Sequence, residues 1–133
     1  MIAFQDGTAA VLYLNDPKEK IWGLVVSVSA AGVVMRGLQL ESFEDWMRQE
    51  ARREEELLGL VTAFYPLPRI ERLEEDRSVG TVKSYSERFA EAVGRTVHEA
   101  ITARAEERER EPAKPADANP RTDANEPPRG SFN

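Results

Sequence analysis

Between Ile21 and Leu40 the chain reads IWGLVVSVSAAGVVMRGLQL, its longest strand-favouring stretch, and this stretch restricts the folds open to it. In a strand, successive side chains point to opposite faces. Trp22, Leu24, Val26 and Val28 then share one uniformly large, apolar face, which is expected to line the core. Ile21, Gly23, Val25 and Ser27 share the other, where Gly23 marks a bend or a place where another backbone comes close. Ala30-Ala31-Gly32 matches a three-residue hairpin loop with its glycine in the left-handed region. The third strand, Val33 to about Glu41, carries Val33 and Met35 in one phase and Leu38 and Leu40 in the other. A bulge with a sharp bend at Gly37 would return both pairs to one face.

Shorter elements surround this hairpin. Ala9 to Asn15 is a first strand, closed by the turn-forming Asn15-Asp16-Pro17 and the polar Lys18-Glu19-Lys20. After the third strand a helix is expected over 43–58. Ser42 and Asp45 would form its capping box, Gly59 its stop, and Phe43, Trp46, Met47, Ala51 and Leu57/Leu58 its apolar stripe. Its charged middle, Gln49 to Glu56, is expected to face water, with Glu44/Arg48 and Arg52/Glu56 as i,i+4 pairs. Leu60 to Tyr65 is a fourth strand. Pro66-Leu67-Pro68 then breaks pairing into a tight turn, and Arg69 to Glu75 returns as a charged edge strand. Two helices follow over 84–108, opened by Ser84/Glu87 and Thr96/Glu99 and separated by Gly94. These elements form one domain, 1–110. The proline-rich 111–133 segment has few large apolar residues and is expected to be disordered.

Composition removes several function classes. The 133 residues include no cysteine, which excludes disulfides and thiolate metal sites. No apolar run approaches the roughly 20 residues of a membrane span, and the N-terminus lacks a signal-peptide pattern. No membrane association and a cytoplasmic setting are therefore expected. A formal charge of −6 disfavours binding driven by phosphate neutralisation.

The order of the strands is that of small SH3-like barrels. Gly23 midway along the second strand, the AAGVVM turn into the third and the FYPLPRIERLE hairpin resemble the Sm-like group over Val11 to Glu75. The whole sequence also resembles a bacterial family to which no activity is attached. The resemblance implies a small five-strand SH3/Sm-like β-barrel; with the helix read between strands 3 and 4 and the C-terminal helical pair, the expected class is α+β. It further implies ring-like or dimeric assembly. It does not transfer an RNA site. Ser29 and Gly32 stand where Sm proteins carry a base-binding Asp and Asn, and Pro66-Leu67-Pro68-Arg69 replaces the family's second motif.

No residue set supports catalysis, and no metal or cofactor is expected. His98 lacks the second histidine of a zinc helix and reads as a surface residue. Glu41, Glu44 and Asp45 are accounted for by the favourable field at a helix start. Trp22 and Trp46 read as core and helix-docking residues. Tyr65, Arg69 and Arg72 flank the proline turn and combine an aromatic with guanidinium groups, as interfaces do; they are the candidate partner-binding residues. The expected function is a non-catalytic protein-interaction or assembly module, binding a protein partner or another copy of itself through its sheet edges. An Sm-like RNA-binding regulator is the alternative, and an enzyme of unknown type ranks third.

Overall fold

The computed structural model describes residues 4–110; the tail 111–133, expected to be disordered, lies outside them. The chain divides into two units, 1–100 and 101–133. Five antiparallel strands, β1 (Ala9–Leu14), β2 (Glu19–Ser29), β3 (Gly32–Gln39), β4 (Val61–Pro66) and β5 (Ile70–Glu75), form one sheet in the order β4-β3-β2-β1-β5. Helix α1 (Phe43–Arg52) is inserted between β3 and β4, and α2 (Tyr85–Val93) and α3 (Val97–Arg110) follow β5. The class is α+β, as expected. None of the helices among the described residues is long and apolar enough to cross a membrane.

Strand order and connection length together require a curled sheet. β4 and β5 are the two edges, yet only a 3-10 turn, Leu67–Arg69, joins them. Four strand spacings in a flat sheet would separate the edges by about 19 Å. The four Cα steps from Pro66 to Ile70 reach at most about 14 Å. The turn is anchored at both ends: Leu67 N–H donates to the Ala31 carbonyl (2.8 Å) and Asn15 N–H donates to the Arg69 carbonyl (2.8 Å). The curl stops short of closure, however. No β4–β5 ladder exists among the described residues, so the closed barrel expected from the sequence is corrected to an open, curled sheet. Pro66 and Pro68 offer no N–H at the corner where a closing ladder would begin.

The sheet buries both faces. Its inner face carries Leu12, Leu14, Ile21, Val33 and Met35, with Tyr65, Ile70 and Leu73 packed against them. On the outer face Trp22, fully buried, meets Phe43 at 5.0 Å and Trp46 at 5.6 Å between ring centroids, and Trp46 stacks on Phe89 at 4.7 Å. Asp76, just after β5, ties this layer together. Its carboxylate accepts from the Trp22 indole N–H (3.0 Å), from the Tyr85 and Ser86 backbone N–H groups (2.8 and 2.9 Å), and from the Ser86 hydroxyl (2.8 Å).

This two-sided burial corrects the expected faces of β2. Trp22 lies under the helices, whereas Ile21 and Val25, paired with the β1 and β3 residues Leu12 and Met35, belong to the inner core. Val26 and Val28 are exposed, at 41% and 50%. The bulge falls at Val26, where the register slips between Val25 and Ser27, and not at Gly37. Gly37 stays in register opposite Gly23. A Cβ on Gly23 would stand 2.4 Å from the Arg36 carbonyl oxygen, so the glycine permits close backbone approach. The hairpin connection is the two residues Ala30-Ala31, and Gly32 enters the ladder hard against the Tyr65 carbonyl, 2.1 Å from where its Cβ would lie.

The inserted helix is shorter than the expected 43–58. Arg53 adopts a left-handed conformation (φ 56°, ψ 38°) and closes α1 at Arg52, ahead of Gly59. Gln49 and Glu50, expected in water, are buried. The Gln49 amide acts as a backbone substitute for the chain beyond: its Oε1 accepts from Leu57 N–H (2.8 Å) and Leu58 N–H (3.0 Å), and its Nε2 donates to the Leu58 carbonyl (2.9 Å). Leu57 points outward instead of completing a stripe. Ser42 makes no side-chain cap. The Thr96/Glu99 box does form, in both directions, at 2.8 and 3.1 Å, and the Ser84 hydroxyl accepts from Glu87 N–H at 2.9 Å.

Candidate binding surfaces

The three residues singled out from the sequence occupy two separate places. Arg69 ends the 3-10 turn. Its Nε donates to the Asn15 carbonyl (2.7 Å) and its Nη2 to the Pro17 carbonyl (2.9 Å), with Glu19 4.0 Å away. The fork of donors is thus engaged in pinning the β1–β2 turn, which explains why an arginine stands there. Tyr65 packs its ring against the inner core beside this corner. Burial pushes its phenol above the usual range and Glu19 adds to the rise, while Arg69 opposes it. Arg72 lies elsewhere, on the outer face of β5 opposite Tyr13 of β1. Its guanidinium sits 3.8 Å from the Tyr13 ring centroid and is held by Glu74 (2.6 Å) and Glu71 (3.4 Å).

Arg72 and Tyr13 form one wall of an open cleft of about 800 Å³, whose other walls come from the β1–β2 turn and the β3–α1 connection. Lys18, Lys20 and Arg72 alternate there with Glu19, Glu41 and Glu71. The Tyr13 phenol is pushed up, first by burial and then by Glu74, with Arg72 opposing. Positive and negative groups are interleaved, so the cleft has no strong preference for an anion or a cation. Among the described residues there is no cluster of three or more potential metal ligands. His98, exposed at the start of α3, donates its Nε2–H to the Gly7 carbonyl at 2.9 Å.

The second surface is the free edge of β4. Leu67 N–H bonds to the Ala31 carbonyl, which makes Gly32 and Pro66 a non-hydrogen-bonded pair. Pair types alternate along an antiparallel ladder. Val61, Ala63 and Tyr65 therefore bond inward to β3, whereas the N–H and C=O groups of Thr62 and Phe64 point away from the sheet. No protein group bonds to these outward groups among the described residues. Val61 and Phe64 are 63% and 53% exposed, and from Leu57 to Pro68 the chain carries no charge. The opposite edge, β5, holds Glu71, Arg72, Glu74 and Glu75, the pattern that discourages strand addition. Sequence reasoning missed the β4 edge because alternation does not show which strand lies outermost. The uncharged run Leu57–Pro68, in a chain with 32% charged residues, was the available signal.

No protein-family model, no curated protein and no solved structure matches this chain, so these two surfaces carry the functional argument.

Proposed function

We propose that this chain is a non-catalytic cytoplasmic protein-interaction or assembly module, SH3/Sm-like in plan, which recruits an extended partner strand along the free edge of β4. The observation that carries this reading is the outward row of unpaired backbone groups on Thr62 and Phe64, flanked by exposed apolar side chains and free of charge. Backbone bonds along such an edge supply affinity, and alternate side chains supply selectivity. The curl and the short proline-flanked turn between the last two strands support the SH3/Sm-like plan. The RNA-binding alternative would draw on Lys18, Lys20 and Arg72 around the cleft. Arg72 is already held by two glutamates, and further carboxylates share the walls, which weakens attraction for phosphate.

A random hexapeptide library selected on the purified chain tests the proposal. Thr62→Pro removes only an outward N–H and leaves the β3 ladder intact, so selected peptides are expected to bind roughly tenfold more weakly to it. Failure to select any extended peptide, or binding indifferent to Thr62→Pro, would refute the reading.

A further inference from the structure

Resting on that edge-binding reading, we infer that the strand added to β4 is β4 of a second copy, paired antiparallel about a two-fold axis at Ala63. A chain of net charge −6 repels its own copies, so a self-contact is favoured where charge is absent. The β4 edge meets that condition and the β5 edge does not. β4 also lacks the devices that keep an edge unpaired: it has no register irregularity, no charge, and no proline before its last residue.

The outward backbone groups select the register. With the axis at Ala63, Thr62 of each copy faces Phe64 of the other, and each such pair exchanges both of its N–H···O bonds. Ala63 then faces its counterpart in the close, non-bonded pair type, with Cα atoms about 4.5 Å apart, where a small side chain fits. Moving the axis to Phe64 would set Pro66, which has no N–H, opposite Thr62. Moving it to Thr62 would carry the pairing beyond Val61, where β4 begins. At Ala63 both Phe64 rings lie on the outer face, each beside the second copy's Thr62 and over its own neighbour Val34. The two sheets join into one continuous sheet across the axis.

The test is sedimentation equilibrium of the full chain across micromolar concentrations, with circular dichroism confirming that each variant is folded. Thr62 and Phe64 are exposed, so changing them leaves the core untouched. The wild type is expected to dimerise. T62K/F64K sets lysines against each other and is expected to weaken the dimer at least tenfold. T62K/F64E sets lysine against glutamate across the axis and is expected to recover most of that loss. In either shifted register T62K/F64E would oppose like charges, so a dimer as weak as T62K/F64K would overturn the assigned register. A wild type that stays monomeric throughout would overturn the self-pairing. If peptide binding still depends on Thr62 in that monomer, the edge-binding reading stands; if that dependence is also absent, both fall.

Discussion

Replacing Asp76 by alanine tests whether the helical layer is fastened to the sheet at one carboxylate. The substitution withdraws the acceptor from the Trp22 indole N–H and from two first-turn N–H groups of α2, at 3.0, 2.8 and 2.9 Å. It also removes a negative charge from a helix N-terminus. A donor left unsatisfied costs about 1–3 kcal/mol when buried. Asp76 is only partly buried, so the low end applies, and the three donors together give about 3 kcal/mol. For a domain of this size that corresponds to a Tm lower by about 15 °C. Asp76→Asn keeps one acceptor oxygen but turns an NH2 toward donors, and is expected to lose about half as much. Urea unfolding followed by tryptophan fluorescence measures both. A loss below about 1 kcal/mol for Asp76→Ala would refute the idea that this carboxylate fastens the layers.

Gly23→Ala drives a methyl into the Arg36 carbonyl and the Gly37 Cα, at 2.4 and 2.6 Å, and is expected to cost about 3 kcal/mol in denaturant unfolding. Gly80→Ala, at φ +61 with open space around it, is expected to cost only about 1 kcal/mol. Arg69→Lys cannot reproduce the two-carbonyl grip on Asn15 and Pro17. It is expected to cost about 1–2 kcal/mol and to raise hydrogen exchange in the β1–β2 turn. Tyr13 and Tyr65 both hold their protons more tightly when folded, chiefly through burial, so their contribution is complete below the unfolded value near pH 10 and is lost as pH rises through the folded value. Stability measured by urea midpoint is therefore expected to fall from about pH 10 upward, and Tyr13→Phe with Tyr65→Phe to flatten that fall.

The elements of this fold were legible in the sequence, and the faces of its central strand were not. Alternation in Ile21–Ser29 located β2 and placed Trp22 in a core. It could not distinguish the inner core, where Ile21 and Val25 lie, from the helix-covered outer face where Trp22 lies, because a strand buried on both sides has apolar residues in both phases. The change of phase at Gly37 has the same origin and is no bulge: β3 runs in register there, with Met35 on the inner face opposite Val25 and Leu38 on the outer face opposite Trp22. The end of α1 was misplaced because a charged run says nothing about a left-handed arginine, or about a glutamine that binds three backbone groups of the following segment. Of the residues near the proline turn, Arg69 directs its donors to the Asn15 and Pro17 carbonyls of its own chain, a long-range contact that residue type alone does not reveal. The β4 edge emerges only from strand order, which depends on long-range pairing.

The most direct test of the account is amide hydrogen exchange at β4, resolved residue by residue, with and without a selected hexapeptide and across a range of protein concentration. Thr62 and Phe64 are expected to gain protection as the edge is occupied, while Val61, Ala63 and Tyr65, already bonded to β3, stay as they were. Unchanged exchange at Thr62 and Phe64 under saturating peptide, or protection gained only at other residues, would contradict it.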